Sequence, residues 1–290
     1  MSHTIRLAMI AALTVSLSGC TGSDSSDPQP APIGSKTLTF YGRCNDWAYC
    51  DGADVETVLN TMRQEARAMK RAGWDGGQIE LWGWVRYSRM GQAEAMERIR
   101  IVYPAMLEEY RRLGLWLYVS GANDNQGLGK WGDPGRSLSA DWKYLEECLA
   151  LIVEHGPENV IAQPVCETKT GTGRKLELLW AETLKPLGIY MVDNHNSRPT
   201  KPQPWADSSN YHPWGLNIGG IDPSMWVNND TMLAIRAMTD GDEYGPSNPA
   251  TLAAYIAQGR SVGFPAVMVY AWGHPDLDLP AIEALNGVTP

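Results

Sequence analysis

Glu167 is the residue of this chain best placed for acid–base chemistry. It follows the apolar run Val160–Val165 with one residue between. A strand ending there buries the first methylenes of Glu167 and leaves its carboxyl at the sheet end. Partial desolvation then raises its hold on a proton. A second carboxylate lies further along at Glu243, with Asp240 in reserve because it is nearer to the preceding apolar run, Leu233–Met238. Two carboxyl groups flanking one bond suffice to hydrolyse a glycosidic linkage. One protonates the leaving oxygen, and the other attacks the anomeric carbon or activates water. The bland alternative for Glu167 is an ion pair with a neighbour such as Lys169.

Aromatic usage points the same way. The chain has 12 Trp and 12 Tyr against 2 Phe, a bias towards rings with a polar handle that suit half-wet surfaces. Trp47, Trp84 and Trp272 follow apolar runs and Trp82 ends one, and all four are expected to be flat platforms for sugar rings. Tyr41, Arg43, Asn123, Asp124, Asn194 and His195 sit in similar places and are expected to bind hydroxyls. Loops at strand ends are polar in any such fold, so the tryptophans carry the weight of this reading.

These residues need elements to hold them. Eight apolar runs read as strands: Thr37–Tyr41, Gln78–Trp82, Leu115–Val119, Val160–Val165, Ile189–Val192, Leu216–Ile218, Leu233–Met238 and Ala266–Ala271. The sixth has the weakest pattern. Amphipathic segments fall between most of them. Val55, Val58, Leu59, Met62, Ala66 and Met69 recur at helical spacing. A second helix is expected from Ala93 to Leu113, kinked at Pro104 and closed by Gly114. A third carries Tyr144, Leu145, Cys148, Leu149, Ile152 and Val153 and stops at Gly156. Shorter ones are expected near Lys175–Leu184 and Pro249–Gln258, the last closed by Gly259. Strand, helix and parallel strand in repetition make an α/β fold. Eight repeats from residue 37 to 290 fit one (β/α)8 barrel, in which catalytic groups sit at the C-terminal strand ends. An open doubly wound sheet would carry a glycine-rich phosphate loop after its first strand, where this chain has Gly42-Arg43-Cys44-Asn45-Asp46-Trp47.

With Glu167 after strand four, Glu243-Tyr244-Gly245 after strand seven and Ala271-Trp272-Gly273 after strand eight, the chain resembles the retaining (β/α)8 glycoside hydrolases of the large clan that includes cellulases, β-mannanases and β-galactosidases. The resemblance implies an acid/base role for Glu167 and a nucleophile role for Glu243. It implies a carbohydrate substrate and no cofactor. Three features depart from it. Cys166 stands where the clan has the Asn that binds the sugar 2-hydroxyl. Gly77-Gln78-Ile79-Glu80 occupies the region of its strand-two Arg. Glu243 lies several residues past the seventh run. The nucleophile thus stays open between Glu243 and Asp240, and inversion stays open beside retention.

The N-terminus reads as an address. Residues 1–19 form a weakly basic start, a short apolar stretch and small residues, and Leu17-Ser18-Gly19-Cys20 resembles the lipobox of bacterial lipoproteins. That resemblance implies lipidation of Cys20, and Thr21 after it implies the outer membrane where the host has one. Residues 20–36 are rich in Ser, Asp and Pro and are expected to be a flexible tether. Of the remaining cysteines, Cys44 and Cys50 are spaced for a loop-stapling disulfide; Cys148 and Cys166 are either a second pair or buried thiols. A net charge of -9 leaves no basic footprint for nucleic acid. A closed barrel has no free sheet edge, which favours a monomer. Two other readings compete. One is a metal-dependent hydrolase built on His195, His274, Asp193, Asp240 and Asp242. The other is a glycan-binding lipoprotein that uses the tryptophans without catalysis.

Overall fold

The structure is a computed structural model, and it describes residues 28–43, 53–81, 92–123, 138–166, 168, 170–194, 203–211, 231–236, 256–257, 259–261 and 263–271. Eight parallel strands pair in chain order and the last closes on the first. They are β1 (Leu38–Arg43), β2 (Gly76–Glu80), β3 (Trp116–Asn123), β4 (Val160–Cys166), β5 (Tyr190–Asn194), β6 (Ser208–Tyr211), β7 (Thr231–Arg236) and β8 (Ala266–Ala271). Tyr41 pairs with Gly77, Gly77 with Leu117 and Leu117 with Val160. The register continues through Ile161↔Tyr190, Val192↔Ser208, Ser209↔Thr231, Leu233↔Val267 and Val267↔Thr39. Carried strand to strand from Tyr41, that register comes back to the chain at Ile33, eight residues before its start. That stagger is the one expected of an eight-stranded α/β barrel.

Four helices follow the first four strands: α1 (Val55–Arg71), α2 (Gln92–Leu113), α3 (Leu138–His155) and α4 (Gly171–Leu184). Each has a local cause. Asp54 caps α1, its Oδ1 accepting from Thr57 N at 2.8 Å. Val58, Leu59, Met62, Ala66 and Met69 then line the buried side of α1. Helix α2 contains Pro104 and gives way to Gly114, whose φ of 62° is left-handed. Gly156, at φ 84°, follows α3, and Arg111 donates to the His155 carbonyl at 2.9 Å. Thr170 caps α4 by accepting from Gly173 N at 3.1 Å. Between α1 and α2, Glu109 accepts from Arg67 and Arg112 at 2.8 and 2.7 Å. Those bonds, Arg112's foremost, hold its carboxyl below the usual glutamate range.

Alternation along the strands splits the core in two. Ile79, Leu117, Val119, Val160, Ala162, Met191 and Val267 face outward and pack with the helices. Leu38, Phe40, Tyr118, Ile161, Val192, Ala266 and Met268 face inward. Pro164 lies within β4 and has no N–H to give the ladder. The residue beside it on β3 is Gly121, where an added Cβ would stand 2.3 Å from the Pro164 carbonyl oxygen and 3.1 Å from the Trp180 ring.

Several expectations are corrected. The sixth strand is Ser208–Tyr211; the apolar run Leu216–Ile218 lies outside the described residues. β2 starts at Gly76 and ends at Glu80, two residues earlier than its apolar run. Gly259 does not close the last helix, because residues 260–261 are still helical and Gly263 takes the left-handed turn at φ 78°. From Pro28 onward the expected tether is packed on the barrel. Ala31 and Ile33 are half-buried against the inner cluster, and the Trp116 indole donates to the Ala31 carbonyl at 2.8 Å. Cys148 and Cys166 are both buried free thiols, not a pair. Burial pushes the Cys148 thiol up to about 12, so it stays an inert part of the outer core.

Candidate active site

In a barrel of this stagger, alternate strands contribute alternate interior layers. The register sorts the inward residues accordingly. Phe40, Tyr118 and Val192 share one layer. Gln78, Gln163, Asn210 and Met268 form the next, on β2, β4, β6 and β8. Gly42, Ser120 and Asn194 come above them, and Glu80 above those. Interiors of such barrels are usually filled by branched apolar side chains. Here the upper layers carry amides, a hydroxyl and a carboxylate beside Met268 and Gly42.

The amides are tied together. Gln163 Oε1 accepts from the Tyr118 hydroxyl, from Asn210 Nδ2 at 2.8 Å and from Asn194 Nδ2 at 3.4 Å. Gln163 Nε2 donates to Ser120 Oγ at 3.3 Å. Asn210 Nδ2 also reaches the Tyr118 oxygen at 3.1 Å. All five side chains are buried. Burial holds the Tyr118 phenol well above its ordinary pKa, so it remains a neutral donor through the working pH range. One hub thus joins β3, β4, β5 and β6 just below the strand ends, and the bonds shared at Gln163 hold its members together.

Glu167 itself lies outside the described residues, between two that are fixed. Cys166 ends β4 and its Sγ accepts from Asn194 Nδ2 at 3.4 Å. Thr168 donates its N–H to the Asn194 carbonyl at 3.2 Å and its hydroxyl to the buried Glu177 of α4. Of the expected hydroxyl binders, Asn194 is inward but fully buried, so it belongs to the floor of the mouth and not its surface. Tyr41 is not at the mouth. It faces outward against Trp74, ring centroids 5.8 Å apart, because its position on β1 alternates with Phe40. Arg43 ends β1 and Asn123 ends β3, with their side chains outside the description. Glu243, Asp240, Trp47, Trp82, Trp84, Asp124, His195, Trp272, Cys20, Cys44 and Cys50 all lie outside the described residues.

The described tryptophans serve the core. Trp74 and Trp180 are buried, and Trp116, Trp142 and Trp205 pack against core clusters. Asp193 of the metal reading points away from the interior, between Val192 and Asn194, and its Oδ2 accepts from Gln203 N at 2.5 Å. Among the described residues no three His, Cys, Asp or Glu gather as a metal site. A cavity of about 700 Å3 opens at the opposite, lower end of the barrel, between Ile33, Trp116, Asn159, Leu187 and Tyr190. It is remote from the C-terminal strand ends, where barrels carry their chemistry. Tyr118, Ser120, Gln163, Gln78, Asn210 and Glu80 were not read from the sequence as site residues. For Tyr118, Ser120 and Gln163 the signal was a polar type at an inward, period-two position within a largely apolar strand; β2 and β6 offered no such pattern for Gln78, Glu80 and Asn210.

No family model matches the chain, and no curated protein matches its sequence. Solved structures do resemble it. A glycoside hydrolase family 5 protein from Bacteroides vulgatus has a TM-score of 0.51 at 10% identity, over 90% of this chain and 68% of that one. A GH5-4 broad specificity endoglucanase from an uncultured bacterium gives 0.51 at 9% identity, over 87% and 91%. The endo-1,4-β-mannanase of Rhizomucor miehei gives 0.54 at 10%, over 91% and 98%. Identities this low speak for the fold alone: a parallel α/β sheet curled upon itself with helices outside.

Proposed function

We propose that the chain is a glycoside hydrolase on a complete (β/α)8 barrel spanning residues 37–290. The observation that carries this reading is the polar floor around Gln163, laid directly beneath the strand ends. A barrel that only had to be stable would fill that layer with apolar side chains. Amides and hydroxyls there suit a polyhydroxylated ligand. Similarity in fold to endoglucanases and a mannanase raises the reading without fixing it.

In the mechanism, Glu167 protonates the glycosidic oxygen as the bond to the anomeric carbon breaks. Glu243, or Asp240 in its place, attacks that carbon and holds the sugar as an ester. Water then displaces the carboxylate, giving up its proton to Glu167, and the enzyme returns to its starting state. Trp47, Trp82, Trp84 and Trp272 stack on sugar faces, and Arg43, Asn123, Asp124 and His195 bind hydroxyls. No cofactor takes part. Residues 1–19 are a signal peptide, and Cys20 carries the lipid that holds the protein at the outer membrane. Pro28–Lys36 joins the barrel at its lower end, so such an anchor leaves the mouth facing away from the lipid.

The test is reducing-sugar release from mixed-linkage β-glucan, glucomannan, xylan and peptidoglycan sacculi by the wild type and by Glu167→Gln. The variant is expected to keep its fold and lose at least about a hundredfold in turnover, the lower range for removing an acid/base group. A folded variant with unchanged turnover would sink the assignment. A wild type that binds a panel glycan and releases nothing would favour a binding lipoprotein.

A further inference from the structure

Glu80 is a buried carboxylate that the mechanism above does not use. It is the last residue of β2 and 6% exposed. Ile79 and Leu81 on either side belong to the outer core, so alternation turns Glu80 to the barrel interior. Its register partner is Ser120, whose hydroxyl belongs to the Gln163 network. One interior step lower on the same strand is Gln78, whose Oε1 is buried and has no hydrogen-bond partner among the described residues. β2 and β4 belong to the same alternate set of strands, so their inward side chains converge on the axis in shared layers. Of the other buried polar residues, Thr39 is bonded to Asp75, Glu177 to Thr168, and Asp141 lies on α3. Among the described carboxylates, Glu80 is the one that the strand alternation sends to the upper interior.

Its neighbours explain what it can do there. Glu80 already has at least one interaction with its surroundings. A carboxylate has about four acceptor sites and can serve more than one donor. The amide floor beneath it presents both donors and acceptors at the depth where a sugar ring would rest. We propose that Glu80 is a third carboxylate of the active site and binds substrate directly, accepting hydrogen bonds from hydroxyls of the sugar unit on the floor, with Gln78 Oε1 taking a further one. This rests on the glycosidase reading and adds to it a contact outside the acid/nucleophile pair. Hydrogen bonds to a charged acceptor are worth about 1.5–3 kcal/mol each, or roughly 10- to 150-fold in binding.

The experiment uses the same four glycans with wild type, Glu80→Gln and Glu80→Asp. The Gln variant keeps the shape and removes the charge. The Asp variant keeps the charge and withdraws the carboxyl by one bond, about 1.5 Å. Both are expected to melt within a few degrees of the wild type and to lose at least about tenfold in kcat/KM, chiefly through KM. A merely structural role would lower the melting temperature and leave KM alone. Unchanged KM in a folded Glu80→Gln overturns the proposal while the glycosidase reading stands. Loss of fold in both variants assigns Glu80 to the scaffold and also overturns it. A wild type inert on all four glycans removes both together, and the wild-type control alone shows which has happened.

Discussion

The lower and upper halves of the barrel interior are made by the same strands, yet they are built for different ends. Below, Leu38, Phe40, Ile161, Val192 and Ala266 fill the space with hydrocarbon, and Ala31, Ile33, Trp116 and Tyr190 close it from underneath. Above, two residues further along β2, β4 and β6, the interior belongs to Gln78, Gln163 and Asn210, with Glu80 beyond. The change happens within a single strand: in β4, Ile161 is in the apolar part and Gln163 in the polar part. Depth along the strand, not the identity of the strand, therefore separates what stabilises the barrel from what the barrel presents. The lower half stabilises by burial and shape, and the upper half holds polar groups fixed at the expense of some of that stabilisation.

The largest effect that would break this contrast is at Phe40, which is fully buried in the lower half and meets Tyr118 edge-on at 6.2 Å. Phe40→Ala is expected to cost about 3–5 kcal/mol of unfolding free energy, measured by denaturant titration. Turnover below the melting range should be kept. A cost under about 1 kcal/mol would mean that the lower half is not the mechanical core. Gln163→Leu is the matching change in the upper half. Leucine fits the volume and buries well, but Tyr118 and Asn210 lose their shared acceptor. Each orphaned group costs about 1–3 kcal/mol, partly offset by the new apolar contact, for a net loss of about 2 kcal/mol. Its effect on activity should exceed that of Phe40→Ala. If both variants lose stability and turnover in the same proportion, the two halves are one unit and the contrast fails.

Much of the lower half and the outer shell was legible in the sequence because burial there is signalled by hydrophobic period. β1, β3, β4, β5, β7 and β8 all overlap apolar runs, and α1 shows its buried face in Val58, Leu59, Met62, Ala66 and Met69. β6 was not legible. Ser208-Ser209-Asn210-Tyr211 has no apolar alternation, since the residue it turns to the upper interior is an amide. The start of β2 was hidden for a different reason. Gly76 and Gly77 look like a turn, but Gly76 is required where an added Cβ would lie 2.3 Å from the Trp116 carbonyl oxygen. At the strand ends Glu167, Glu243 and Asp240 were picked out by type, whereas Glu80, Gln163 and Ser120, within their strands, were passed over. The tryptophan excess was an ambiguous signal. Trp74 and Trp180 are as buried as any leucine, and composition cannot separate such residues from a platform.

The smallest expected effect tests where the boundary between the halves runs. Ser208 pairs with Val192 across β5 and β6 and shares its level with Ile161 and Ala266, one step below Asn210. It is fully buried, and its Oγ has no hydrogen-bond partner among the described residues. A hydroxyl desolvated without a partner is itself a cost, so its removal is not a loss. If the polar zone stops at Asn210, Ser208→Ala should leave stability within about 0.5 kcal/mol of the wild type or raise it, with turnover unchanged. A loss above about 1 kcal/mol would show that the hydroxyl is bonded in the folded protein, as by a buried water. The polar column would then run two layers deeper on the β6 side, past Val192 to the level of Ile161. The contrast would survive with its boundary lowered on that side, with Leu38 and Phe40 of β1 still filling the interior with hydrocarbon.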